Sequence, residues 1–274
     1  MKVKLDKDIS VIVILYNTPI NKIINLKQYK NFRLIILEQG SFKNSKKKIQ
    51  KILGFEFRYF YSKKNLGLSK GINFLIKKTK TKYCMITEPD IFIDKTSILN
   101  LKKTIKLNKF FLMVGPNYKK KKESKMYKVL KNMDTSCVLF ETKKMLKFNF
   151  YDEDFFFFWQ DVDLIKRINS SKYEMVKSNN SFAKHLMSGS SNLTTNINFL
   201  RDKGYKYGEL VFDFKHGKLR FIKILRQLVQ SFIRTLFFIT ILKKKNRVKN
   251  FAYLIGILQF LVYYLRLFKF KDFF

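Results

Sequence analysis

Carboxylates are scarce in this sequence: 20 Asp and Glu stand against 57 Lys and Arg, a formal charge of +37 over 274 residues. Where acids are so few, each cluster of them carries information. Cysteine is nearly missing as well, and the two present, Cys84 and Cys137, are far apart. That spacing excludes a disulfide framework, a zinc site or a redox pair, and leaves two small core residues in a reducing compartment. Three prolines and ten glycines exclude a collagen-like or Pro-Gly-rich disordered chain. A 46% hydrophobic and 16% aromatic composition is enough to build a core. The N-terminal apolar run, Ile9 to Leu15, is short and lacks a small-residue cleavage site, so no secretion signal is expected.

Arginine is scarce too, with nine against 48 lysines. Nucleic-acid readers favour Arg forks and charge gathered on one face, and neither is present, so nucleic acid is not an expected partner. Two readings of the lysine excess stand side by side. Adenine- and thymine-rich codons favour Lys, Asn, Ile and Phe; alternatively, a cationic surface draws in anionic lipid or phosphate-bearing substrates.

The pattern that is present is alternation. Ile9 to Leu15 is a β-branched run closed by Tyr16, Asn17, Thr18 and Pro19, which predicts a buried parallel strand. Similar runs at Phe32 to Leu37, Phe55 to Tyr61, Tyr83 to Thr87 and Phe111 to Val114 are separated by Lys-rich segments of helical length. Met133 to Phe140 reads as a further strand, and Phe155 to Ile168 as a helix opened by Asp152, Glu153 and Asp154, acids that suit its dipole. Strand alternating with helix predicts a layered α/β sheet. Ligands in such sheets bind beyond the carboxyl ends of the strands, at Tyr16 and Asn17, Glu38 to Ser41, and Glu88 to Asp90.

Glu88, Pro89 and Asp90 follow a strand and place two carboxylates one residue apart in an extended turn. Such a pair can hold Mg²⁺ or Mn²⁺; a solvated turn is the plainer alternative. In YDEDFFFFWQDVDLIKRI, aromatics Phe155 to Trp159 surround Asp161, so its carboxylate would be partly desolvated, as suits a general base. Asp163 would face elsewhere, toward Lys166 or Arg167. Asn65, Gly67, Ser69, Gly71 and Asn73 form a small-residue loop entering a helix, suited to close approach by a nucleotide or simply to a cap. His185 is either a metal or diphosphate ligand or a loop histidine. His216 reads as a surface residue.

The ordered set SVIVILYN, LEQGS, NLGLSKGIN, EPDIFID, MDTSCVLF, YDEDFFFFWQDVDLIKRI and KHLMSGSS, over roughly residues 9 to 192, resembles the inverting family-2 glycosyltransferases, especially the branch with bacterial rhamnosyltransferases. The resemblance implies a GT-A fold, a Rossmann-like mixed sheet flanked by helices, and a nucleotide-diphosphate sugar as donor. It implies that Glu38 meets the nucleobase and that Asn65 and Gly67 line the nucleotide site, to which Tyr16 and Asn17 belong by their place at the carboxyl end of the first strand. Glu88 and Asp90 become the counterpart of the metal-binding Asp-x-Asp element, His185 a reach toward metal or diphosphate, and Asp161 the base that deprotonates the acceptor hydroxyl. Three residues depart from the pattern: Glu38 replaces an Asp, Glu88 stands where the branch often has Asn, and Gln160 replaces an acid. A lapsed transferase or a sugar-nucleotide-binding scaffold is the alternative to an active enzyme.

The composition shifts at Gly217. Residues 1–216 form the expected catalytic domain, and 217–274 hold 13 Lys or Arg against Asp272 alone. Two apolar stretches there, Ser231 to Leu242 and Phe251 to Leu265, are shorter than the ~20 residues of a spanning helix. They predict a basic, amphipathic helical tail lying on an anionic membrane with Lys243, Lys244, Lys245 and Arg247 at the headgroups. The expected acceptor is then a lipid-linked or cell-surface saccharide, met by a cytoplasmic protein attached peripherally to the inner face of the cell membrane.

Overall fold

The computed structural model describes residues 6–40, 45–119, 124–186, 194–240 and 244–271. Two compact units divide the chain: residues 1–152 with 164–192, and residues 153–163 with 193–274. Compactness therefore groups the segment after 193 with the tail, whereas composition shifts only at Gly217.

The first unit holds the sheet. In chain order its elements are β1 (Ile9–Tyr16), α1 (Ile20–Ile23), a 3₁₀ turn (Ile24–Tyr29), β2 (Arg33–Gln39), α2 (Ser45–Leu53), β3 (Arg58–Ser62), α3 (Gly67–Lys78), β4 (Tyr83–Ile86) and β5 (Ile91–Ile93). There follow α4 (Lys95–Ile105), β6 (Phe111–Asn117), β7 (Tyr127–Leu130), β8 (Val138–Glu141), α5 (Thr142–Phe148), α6 (Gln160–Asn169), whose first turn belongs to the second unit, and β9 (Glu174–His185). Strand order is β3-β2-β1-β4-β8-β6-β9-β5, with β7 also paired to β9. The β3 to β4 half is parallel, β8 runs against both its neighbours, and β9 lies parallel to β6. This is the expected mixed α/β sheet. Its central strand β1 is covered on both faces, which is why Ile9 to Leu15 reads as an apolar run interrupted only by the buried Ser10. Cys84 and Cys137 are free and fully buried, and burial pushes the Cys84 thiol up to about 12 and the Cys137 thiol up as well, so both are core residues.

Three expected elements start several residues later than the segments read for them. Phe55 to Phe57 lie outside β3, which begins at Arg58. Met133 to Cys137 lie outside β8, which begins at Val138. The helix expected from Phe155 begins only at Gln160, because Phe158 and Trp159 take left-handed backbone angles, φ of 67° and 68°, which end any helix before them.

The second unit contains the strap 155–159, α7 (Thr195–Lys215), α8 (Phe221–Thr240) and α9 (Lys244–Lys271). Phe155, Tyr207, Leu210, Val211, Ile224, Ile257 and Phe260 form its core. Gly204 and Gly208 lie one turn apart on α7 and let the strap come close: a Cβ on Gly208 would lie 3.0 Å from Trp159 Cδ1 and 3.1 Å from the Phe158 carbonyl oxygen. The tail is more continuous than its two short apolar stretches implied. Within α9, residues Asn246–Leu267 are long and apolar enough to cross a membrane, because Asn246, Tyr253, Gly256, Gln259 and Tyr263 interrupt the pattern without ending the helix. Residues 241–243 and the side chains of Lys244 and Lys245, expected at headgroups, lie outside the described residues.

Candidate active site

Parallel pairing sets the loops after β1, β2, β3 and β4 along one edge of the sheet. Tyr16 is in register with Gln39, and Gln39 with Ser62. Tyr16 and Asn17 stand over Gly40, where an added Cβ would lie 3.4 Å from the Tyr16 ring and 3.7 Å from Asn17 Oδ1. Asn17 itself has a positive φ of 48°, a conformation Asn tolerates better than most residues. Glu38 is buried, and its carboxylate accepts a 2.6 Å bond from the Tyr59 hydroxyl. Asn65 Oδ1 accepts from the Gly67 N–H at 2.9 Å, so the small-residue loop is in part an ordinary cap on α3. Gln39, which the sequence reading did not single out, fixes that loop to β2: it accepts from Leu66 N–H at 2.5 Å and donates to the Gly67 carbonyl at 3.3 Å.

The turn between β4 and β5 is clamped from the 3₁₀ turn. Asn25 donates to the Pro89 carbonyl at 3.0 Å, Gln28 donates to Ile91 O and accepts from Ile93 N–H, both at 2.8 Å, and Tyr29 bonds Thr87 at 2.9 Å. Nothing in the local sequence marks these positioning residues, since their partners are some sixty residues away. β9 then completes the arrangement. Ile91 pairs with His185, and Leu186 N–H donates to the Asp90 carbonyl at 3.1 Å. His185 Nε2 thereby lies 3.8 Å from Asp90 Oδ2 and 3.9 Å from Glu88 Oε2.

One ligand atom from each of Glu88, Asp90 and His185 falls within 4.8 Å of the others. Asp90 is only 1% exposed, and its Oδ1 has no hydrogen-bond partner among the described residues. A carboxylate so placed needs a positive charge beside it. Two carboxylates and an imidazole suit a divalent cation, so these residues fit a metal. A third acid, Asp134, was not foreseen: its Oδ2 lies 3.6 Å from His185 Nδ1, while its Oδ1 is held by the Ser136 N–H and hydroxyl. A carboxylate behind the far nitrogen of a ligating histidine orients the ring and raises its basicity. His185 is therefore no ordinary loop histidine. The Ser188 to Ser191 segment beyond it, and Ser41, lie outside the described residues.

Asp161 belongs to the second unit, half-buried in the first turn of α6 directly after the aromatic strap. Asp163, expected to face Lys166 or Arg167, is buried, and one of its partners is His216, at 2.9 Å. His216, read as a surface residue, is 14% exposed in its side chain and packs against Phe212, the ring centroids 4.4 Å apart and the planes tilted by 54°. Arg167 gives its guanidinium to the carbonyls of Asn149 and Phe150.

A sheet of this order, with an acid pair after its fourth strand, is the GT-A fold of glycosyltransferases. The sequence model described as "Glycosyl transferase family 2" matches residues 10–169, more than half the chain, and the protein belongs to that family. No curated protein sequence matches it. Among solved structures it is similar to GalNAc-T7, determined with UDP, GalNAc and Mn²⁺, at a TM-score of 0.58 and 10% identity over 76% of this chain and 48% of that one. The chain thus spans about half the length of that relative. It is also similar to the mannosyltransferase PcManGT from Pyrobaculum calidifontis, determined with GDP-Man and Mn²⁺, at a TM-score of 0.57 and 12% identity over 95% of this chain and 90% of that one.

Proposed function

We propose that the protein is an inverting, metal-dependent glycosyltransferase that moves a sugar from a nucleotide-diphosphate donor to a hydroxyl of a lipid-linked or cell-surface glycan. Rhamnose is the sugar the sequence resemblance points to. The observation that carries the reading is Asp90, a buried carboxylate with one oxygen unpartnered and the other facing His185 and Glu88. Mn²⁺ accompanies UDP in one similar structure and GDP-Man in the other, which supports Mg²⁺ or Mn²⁺ here.

Glu88, Asp90 and His185 would hold the cation, which when bound offsets the charge developing on the leaving diphosphate. Tyr16, Asn17 and Glu38, with the Asn65 to Gly67 loop, border the nucleoside. The Glu38 carboxylate offers its second oxygen to a base or ribose donor while the Tyr59 hydroxyl holds the first. Asp161 takes the proton from the acceptor hydroxyl as that oxygen attacks the anomeric carbon opposite the departing diphosphate, and the configuration inverts. The acceptor is met at the inner face of the cell membrane.

The test is a panel of nucleotide-diphosphate sugars with the full chain, followed by thermal shift and by release of nucleoside diphosphate, with and without Mn²⁺. The accepted donor should raise Tm only when Mn²⁺ is present, and Asp90→Asn should remove that rise. Asp161→Asn should keep the rise and lose transfer by about 10²- to 10⁴-fold. Metal-independent donor binding, or wild-type transfer by Asp161→Asn, would overturn the reading.

A further inference from the structure

α8 has two apolar faces. One carries Ile224 and Leu228 into the core of the second unit, and Ser231 is buried beside them. The other carries Ile222, Leu225, Val229, Phe232, Ile233 and Leu236, which are 44 to 83% exposed. At about 100° per residue these six fill a stripe roughly 100° wide, the width by which a core-facing helix normally buries itself. The stripe runs along a helix about 30 Å long. A continuous exposed surface of this kind marks an interaction site.

Charge selects the occupant. Arg226 borders the stripe and Arg234 lies beyond it, both exposed, and from Gly217 to Lys271 the sequence has no acid at all. A second copy of this chain would bring another charge of +37 against the same surface. Aliphatic and phenyl side chains beside cations, on a helix without carboxylates, suit an anionic bilayer, where the apolar stripe enters the acyl boundary and the guanidinium groups stay among phosphates.

α9 is the rival, since Asn246–Leu267 could span a membrane by length and composition. Its packing opposes that. Ala252, Gly256, Ile257 and Phe260 are buried, Gly256 so tightly that an added Cβ would lie 2.7 Å from the Lys203 carbonyl oxygen of α7. Tyr253 lies under the Lys206 ammonium at 5.1 Å, and the Tyr263 hydroxyl donates to Asp154 at 2.8 Å. A crossing α9 would either lose these partners or draw their charges into hydrocarbon, which is costly.

We infer that α8, lying in the membrane plane, is the surface by which this protein docks on anionic lipid, and that α9 backs it without crossing. The inference rests on the reading of a membrane-held acceptor and goes further by naming the helix face. The experiment is flotation of the full chain with sealed vesicles of phosphatidylcholine and phosphatidylglycerol, and with phosphatidylcholine alone. Wild type should float with the anionic vesicles and be at least tenfold poorer on neutral ones. Leu225→Glu/Phe232→Glu, both changes at exposed positions, should leave it in the supernatant with Tm and Mn²⁺-dependent donor hydrolysis unchanged. A tag placed after Phe274 should stay open to external protease on the vesicles. Flotation of the double variant like wild type, a protected tag, or self-association through α8 that the double variant abolishes would each overturn the inference. Flotation as described but with no donor hydrolysed by wild type would instead sink the transferase reading.

Discussion

His216 at the end of α7 holds Asp163 in the first turn of α6: its Nε2 lies 2.9 Å from the Asp163 carboxylate, two residues beyond Asp161. Asp163 is 2% exposed, so removing a hydrogen-bond partner from it costs about 1–3 kcal/mol. His216→Ala should lower stability by that amount and, on the proposed role of Asp161, lower kcat about tenfold with the donor KM unchanged, since the helix turn bearing Asp161 is what loosens. His216→Gln, which retains an N–H donor, should recover most of kcat. Equal kcat in wild type and His216→Ala would leave His216 a packing residue only.

The strap before Asp161 depends on Gly208. A methyl there meets both the Trp159 ring and the Phe158 carbonyl within 3.1 Å, and neither is the free end of a flexible chain. Gly208→Ala should cost about 1–3 kcal/mol from overpacking, despite the better helix propensity of Ala. Denaturant unfolding measures it, and a stabilised Gly208→Ala protein would show that the strap can shift without strain.

Gln160 stands where the sequence resemblance places an acid, which invites its replacement by Glu. Its side chain is 6% exposed and its Oε1 has no hydrogen-bond partner among the described residues. A carboxylate in that position would be buried without compensation. Gln160→Glu should therefore lower Tm and leave kcat no higher than wild type; a clear rise in kcat would show that the departure from the family pattern limits activity.

Acid should weaken the second unit through Glu209. Burial raises its pKa, yet hydrogen bonds from Lys206 at 2.6 Å and attraction from Lys223 at 3.0 Å outweigh this and leave it below the usual Glu value. A folded pKa below the unfolded one contributes stability that is present above about pH 4.3 and is lost as pH falls through the folded value. The Tm gap between wild type and Glu209→Gln should be widest near neutrality and close on the acid side. A gap that stays constant down to pH 3 would mean that the lysine pairs contribute nothing specific.

Within the parallel half of the sheet, β1, β2 and β4 were legible because they are buried and read as largely apolar runs, β1 interrupted only by the buried Ser10. β9 was not, since its sequence EMVKSNNSFAKH is two-thirds polar, and its Ser178 is buried against Thr104 of α4, a pairing no local pattern announces. Asp90 and His185 could be marked as candidates from residue type and position, but Asp134 and the Asn25, Gln28 and Tyr29 clamp depend on contacts made across the fold. The aromatic run before Asp161 misled for a physical reason: four phenylalanines and a tryptophan look helical, but the backbone turns left-handed to lay them on the glycines of α7.

The β5–β9 pairing has a consequence for synthesis. Asp90 leaves the ribosome about a third of the chain ahead of His185, the residue that will face it, and at translation speeds that interval is on the order of ten seconds. During it, β5 has no strand beside it, and the two carboxylates of the preceding turn lack their imidazole. Non-local pairings of this kind form late, so a nascent chain stalled before β9 would present the strands of a transferase with its cation site still open on one side.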